Sequence, residues 1–146
     1  LAAVIDERAA AWRPILERDG RTLSVSVAPE VTVLGTAGAI RQTLDVLLDN
    51  AHRHGAGVVG IVLDSGGAPI LQVTDEGPGI LPGAETTIFE RGVTGASGTG
   101  IGLALARELV ESIGGRLVLA RARPPVFEVF LTPSPAASPV IPGSTP

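Results

Sequence analysis

Residues 98–114 read GTGIGLALARELVESIG, a glycine-rich entry into a strongly apolar helix. Glycines at 98, 100 and 102 leave backbone N–H groups accessible at the helix start, where the helix dipole favours negative charge. We therefore predict a polyphosphate site at the start of a helix over 101–113, which the glycines at 114 and 115 end. A flexible linker is the competing interpretation. The stretch is not a Walker loop, since no Gly-Lys-Ser/Thr follows, and no βαβ unit surrounds it as in a dinucleotide fingerprint.

Helical and strand patterns alternate irregularly along the rest of the chain. Two further helices are predicted over 3–18, kinked at Pro14, and over 36–54, with Thr36 as N-cap and one apolar stripe. Strands are predicted at 22–27, 31–34, 58–64, 70–74, 116–121 and 126–131. Because strict βαβ alternation is missing, we expect a mixed α/β fold in which helices and strands do not alternate strictly (α+β). It would be a two-layer sandwich, a mixed and mostly antiparallel sheet with about three helices on one face.

Composition bounds the fold and the partners. The 146 residues, 45% of them hydrophobic, suffice for one domain, expected over 1–132, and the Pro- and Ser-rich end, 133–146, is predicted to be a disordered tail. The absence of cysteine excludes disulfides, thiolate zinc sites and cysteine nucleophiles. A net charge of -4, with one Trp and three Phe, argues against nucleic-acid binding. No apolar run suits a membrane span, and a chain that begins at Leu1 without any methionine is expected to be a fragment.

Asn50 is predicted at the rim of the apolar stripe on the 36–54 helix, with His54 one turn onward and Val46 one turn back. A lone Asn in a helix is commonly a solvent-facing or capping residue. Its amide oxygen also suits Mg²⁺, which takes few protein oxygens and completes its shell with phosphates and water. Asn50 alone does not decide between these two roles.

Asp75 ends the strand pattern LQVTD, whose alternation turns its carboxylate inward, where it needs a hydrogen-bond donor. The following EGPG places Gly77 and Gly79 where the backbone can approach a flat ligand, and a carboxylate there suits the exocyclic amine of adenine. An ordinary Asp-Glu-Gly-Pro turn is the alternative.

Four motifs now stand in order along the chain: LLDNAHRHG, DEGPG, IFERG and GTGIGL. Their order and spacing resemble the successive boxes of the histidine-kinase ATP-binding domain, whose superfamily includes DNA gyrase, heat-shock chaperones and mismatch-repair ATPases. The resemblance covers roughly residues 1–132 and implies a Bergerat-type ATP-binding fold.

The resemblance implies a role for each matching residue. Asn50 would be the magnesium ligand and, with Arg53, the catalytic group; Arg53 and His54 would line the phosphates or ribose, and Asp75 would take the adenine amine, with Gly77 and Gly79 making room. Phe89 would anchor a lid formed by 92–98. The remaining implied nucleotide contacts are Ile80, Gly98, Thr99, Gly100, Ile101, Gly102 and Leu103, among which the three glycines would hold phosphates.

Two departures limit the resemblance. The family usually carries Asn, or in hydrolytic relatives a water-activating Glu, where this chain has Val46, so efficient ATP hydrolysis is not expected. Near the end, Pro124 and Pro125 precede Phe127 where kinases often have Gly-Thr, so a polar contact to the adenine edge is expected to be missing.

The resemblance implies a protein-histidine kinase that binds ATP and Mg²⁺. Its phosphoryl acceptor would be a histidine on a dimerisation domain, in the same longer polypeptide or a separate chain, and a response regulator would follow indirectly. His52, expected to be solvated, and His54 do not match that acceptor. We expect a monomeric fragment without nucleic-acid or direct membrane contact, from the cytoplasmic part of a membrane-anchored sensor kinase. The alternatives are an anti-sigma-factor-type serine kinase and a non-catalytic nucleotide-binding interaction module.

Overall fold

The fold is a sheet of five strands covered by helices. The computed structural model describes residues 1–90 and 102–134. In chain order the elements are α1 (Ala2–Arg18), β1 (Leu23–Val27), α2 (Ala37–His54), β2 (Val59–Asp64), β3 (Ile70–Thr74), α3 (Gly102–Ser112), β4 (Arg116–Ala122) and β5 (Pro125–Phe130). Ile101, the predicted first residue of the third helix, lies outside the described residues.

The strand order is β1-β2-β3-β5-β4, with β1 parallel to β2 and every other neighbouring pair antiparallel. The single parallel pair follows from the crossover through α2, since parallel neighbours require a long connection. The predicted two-layer sandwich with a mixed, mostly antiparallel sheet is therefore confirmed.

The helix α2 lies at the centre of the helical layer, in contact with both α1 and α3. Thr36 caps its start by accepting a hydrogen bond from the Ala39 N–H at 3.1 Å, and the Gly55 N–H donates to Ala51 after its last turn. Its predicted apolar stripe is buried and packs in one core with the alternating inner residues of β2 and β3. The stripe comprises Ile40, Leu44, Leu47, Leu48 and Ala51.

The predicted strand at 31–34 is wrong, because only Val33 pairs, in an isolated bridge with Pro133. The Leu34 N–H donates to the Thr132 carbonyl at 2.8 Å beside this bridge, but the chain bends at residues 34 and 35 towards α2, so the pairing does not extend into a ladder. The Ser134 N–H donates to the Thr32 carbonyl at 3.0 Å, so the first two residues of the predicted tail belong to the folded part. Residues 135–146 lie outside the described ranges. Within 1–90 and 102–134, no helix combines the length and apolarity that a membrane span requires.

Candidate functional site

The last turns of α2 present the predicted metal and phosphate residues. Asn50 is half-buried, and its side chain makes no hydrogen bond to another residue in the described ranges. The guanidinium of Arg53 is exposed, and its Nε lies 2.9 Å from each carboxylate oxygen of Asp49 one turn back. His54 is exposed. Among the described residues the Asn50 amide is therefore unpaired, whereas Arg53 is paired with Asp49 on its own helix.

Asp75 immediately follows β3, and its side chain is buried, with 7% of the residue exposed. Its Oδ1 accepts a hydrogen bond of 2.7 Å from the Gly77 N–H, so the donor that the sequence analysis required is the backbone two residues on. Burial raises the pKa of this carboxyl above its ordinary range, while hydrogen bonds from Gly77 and Ala56 and the charge of Arg21 act in the opposite direction.

The glycines around Asp75 are required by close packing within the chain. A Cβ at Gly77 would lie 2.7 Å from the Asp75 Oδ1, and one at Gly55 would lie 2.6 Å from the same oxygen. Gly79 has a φ of +76°, and a Cβ there would collide with the carbonyl of Ala122 at the end of β4. The space at Gly79 is thus filled by the protein backbone, and the approach of adenine to this loop stays a prediction.

The turn between β4 and β5 fastens the loop after Gly79. The Ile80 N–H donates to the Ala122 carbonyl at 2.9 Å, and Nη1 of Arg123 donates to the Ile80 carbonyl. The same Nη1 lies 3.1 Å from Oε1 of Glu85. Pro124, one of the two departures from the family pattern, lies in this turn. Both polar backbone groups of Ile80 are therefore held by one turn.

Phe89 contacts two elements of the fold. Its ring meets that of Phe127 on β5 edge-on, with centroids 6.2 Å apart, and the guanidinium of Arg107 on α3 lies 5.9 Å from its centroid. These contacts fix Phe89, which shortly precedes the predicted lid segment in the chain. That segment, with Gly98, Thr99, Gly100 and Ile101, lies outside the described residues.

The start of α3 lies against α2. A Cβ built at Gly102 would stand 3.5 Å from Cγ1 of Val46, one turn before Asn50. Leu103 is half-buried and packs on the core. The fold thus brings the start of α3 to the face of α2 that carries Val46.

His52, expected to be solvated, is only partly so, with 27% of its side chain exposed. Its Nε2 lies 2.8 Å from Oδ2 of Asp19, and its ring centroid lies 6.2 Å from that of Trp12. The cause is α1, which covers that side of α2. The sequence analysis also missed Arg21 and Arg123, whose partners lie at least 30 positions away in the chain and leave no local pattern.

The sequence profile of the histidine kinase-, DNA gyrase B- and HSP90-like ATPases matches residues 35–135. The chain belongs to this family. The sensor protein PhoQ of Escherichia coli K12 is 30% identical over 122 residues, which are 81% of this chain and 25% of that protein. The virulence sensor histidine kinase PhoQ of Salmonella typhimurium strain 14028s is 29% identical over the same shares. The chain thus spans about a quarter of the length of these curated relatives.

Solved structures of histidine kinases share the fold. Full-length ShkA in complex with AMPPNP is 28% identical with a TM-score of 0.77, over 90% of this chain and 30% of that one. The mycobacterial sensor histidine kinase MprB is 29% identical with a TM-score of 0.74, over 90% and 93%. The catalytic domain of histidine kinase ThkA has a TM-score of 0.78 at 23% identity, over 91% of each chain, and supports the fold alone.

Proposed function

We propose that this chain is the ATP-binding catalytic domain of a sensor histidine kinase. It binds Mg-ATP and donates the γ-phosphoryl group to a histidine on a separate dimerisation domain. That histidine then passes the phosphoryl group to a response regulator. The observation that carries the proposal is the Asp75 carboxylate, buried beside a glycine turn and held by the backbone N–H of Gly77. An ionised carboxylate only accepts hydrogen bonds, so it selects a ligand that donates one, as the exocyclic amine of adenine does.

The residues at the other end of the site fit a metal-bound triphosphate. Asn50 offers a half-buried amide oxygen without a partner among the described residues, and one or two protein oxygens suffice for Mg²⁺. When bound, Mg²⁺ would neutralise charge that develops on the transferring phosphate oxygens. Gly102 and the glycines before it would supply backbone N–H groups to the phosphates.

Val46 favours transfer to a protein acceptor over hydrolysis. Its half-buried side chain occupies the position from which hydrolytic relatives activate water, and an aliphatic group cannot take a proton. In the proposed reaction a nitrogen of the acceptor imidazole attacks the γ-phosphorus. The bond between the γ-phosphorus and the oxygen that bridges it to the β-phosphate breaks, and ADP leaves. The proton that the imidazole releases passes to water or to the acceptor domain.

The direct test is transfer of labelled phosphate from ATP to a histidine-containing helical hairpin that is competent toward another kinase. Label on that histidine is expected, and less of it with Asp75→Asn when ATP is below saturation. Label on a partner serine instead would favour a serine kinase of the anti-sigma type. No label on any acceptor, with no magnesium-dependent nucleotide binding, would identify a non-catalytic module.

A further inference from the structure

One arginine, distant in sequence, holds the segment that contacts Asp75. Arg21 lies between α1 and β1, and its Nη1 donates to the carbonyls of Ala51 at 3.1 Å and His52 at 3.2 Å. Its Nε donates to the carbonyl of Gly57 at 3.1 Å. A single planar guanidinium therefore joins the last turn of α2 to the turn that follows it.

That turn, residues 55–57, packs directly on the loop that carries Asp75. The Glu76 N–H donates to the carbonyl of Ala56 at 2.9 Å, and the Ala56 backbone helps to lower the pKa of the Asp75 carboxyl. No side chain would fit at Gly55, because its Cβ would touch that carboxylate. A shift of the turn must therefore move the groups that surround Asp75.

The guanidinium acts on Asp75 by its charge as well. Its positive charge lowers the pKa of the Asp75 carboxyl, against the effect of burial. Nη2 of Arg21 is buried and has no hydrogen-bond partner among residues 1–90 and 102–134. Arg21 is thus a partly buried cation bound to backbone carbonyls, unlike the exposed ion pair of Arg53.

We infer that Arg21 is a positioning residue for adenine selection: by fixing the end of α2 and the turn 55–57, it sets the place of the Asp75 carboxylate. The inference rests on the proposed function, since Asp75 must be the adenine acceptor. A residue that merely stabilised the fold would change the affinity for all nucleotides together. A positioning residue changes the preference for the exocyclic amine.

The test compares the full chain's affinities for ATP and for purine riboside triphosphate, which lacks the exocyclic amine. The wild type is expected to prefer ATP about tenfold or more, because a hydrogen bond to a charged group is at stake. Arg21→Met, which keeps an unbranched stem but removes the guanidinium, should lower this preference roughly threefold or more and leave the affinity for the analogue nearly unchanged. The matched control is Arg18→Met, an exposed arginine on the last turn of α1, which should keep the wild-type preference.

Arg21→Lys extends the test to the case in which Arg21→Met does not fold. An ammonium cannot span three carbonyls as a guanidinium does, so a smaller loss of preference is expected. A folded Arg21→Met with the wild-type preference overturns the inference, and so does Arg21→Lys with that preference where the Met variant is unfolded. If the wild type itself shows no preference for ATP, the proposed role of Asp75 fails first, and the inference falls with it.

Discussion

Val46 lies against the first residue of α3, such that a Cβ at Gly102 would stand 3.5 Å from its Cγ1. Asn50 follows Val46 by one turn of α2. The contact therefore brings the part of α2 that carries Asn50, the proposed metal ligand, close to the start of α3, the proposed phosphate site. It also means that the side chain nearest that end of α3 on α2 is aliphatic.

Gly102→Ala distinguishes the effect of this residue on phosphate binding from its effect on helix stability. The new methyl would meet Val46 at an ordinary contact distance, and alanine in a helix is more stable than glycine by up to about 1 kcal/mol. We expect the free energy of unfolding to stay the same or rise, and the affinity for ATP to fall several-fold. Gly38→Ala on α2 is the control, because nothing lies within 4 Å of a Cβ there. Unchanged ATP affinity in Gly102→Ala would argue against a phosphate role for this backbone.

Gly79→Ala should destabilise the domain strongly. Its φ of +76° disfavours a side chain, and the added methyl would collide with the Ala122 carbonyl, so a loss of about 3 kcal/mol or more is expected. At Gly83 the φ is +89° but the space is open, and Gly83→Ala should lose only about 1 kcal/mol. Chemical denaturation of both variants measures the difference. Equal losses would show that the Ala122 contact contributes nothing.

Asp75→Asn should cost affinity without costing stability. Burial raises the pKa of Asp75 above its ordinary value of 3.8, so the ionised carboxylate is less favourable in the folded state than in the unfolded chain. Asparagine removes that penalty, and its amide oxygen can still accept from Gly77. At neutral pH the variant should be at least as stable as the wild type. As the pH falls through the raised pKa, Asp75 of the wild type becomes protonated, and the free energy of unfolding of the wild type should rise relative to that of the variant. A variant that is less stable than the wild type at neutral pH would contradict this assignment.

Phe89→Leu tests the anchor beside the predicted lid. Loss of the edge-on contact with Phe127 should lower stability by about 1 kcal/mol. ATP affinity should also fall, since Phe89 leads into residues 92–98. Phe130→Leu is the control: its ring contacts the guanidinium of Arg116 at 5.3 Å, on the opposite end of β5. Phe130→Leu should lower stability but leave ATP affinity unchanged. Equal losses of ATP affinity in both variants would contradict the role of Phe89 as an anchor for the lid.

Local patterns predicted most of the fold. The apolar stripe and the Thr36 cap place α2 within a residue of its bounds, and the alternation in LQVTD predicts the burial of Asp75. The segment 31–34 has the same apolar character but forms only a single bridge at Val33, because the chain bends at residues 34 and 35 to enter α2.

The contacts that shape the site were not predictable from local patterns. Arg21 and Arg123 are bound to backbone carbonyls of distant segments, and a carbonyl carries no signature in the sequence. His52 similarly is partly covered by Trp12 of α1 and contacts Asp19, which the pattern of its own helix does not reveal. Local periodicity specifies elements, whereas these partners depend on how the elements are assembled.

The central claim is that Asp75 and Asn50 belong to one Mg-ATP site with separate tasks. Calorimetric titration of wild type, Asp75→Asn and Asn50→Ala with ATP, with and without Mg²⁺, tests it most directly. Asp75→Asn should lose about tenfold or more in affinity under both conditions, because the adenine contact does not involve the metal. Asn50→Ala should lose affinity mainly when Mg²⁺ is present. Equal losses from both substitutions under both conditions, or wild-type binding that ignores Mg²⁺, would contradict the account.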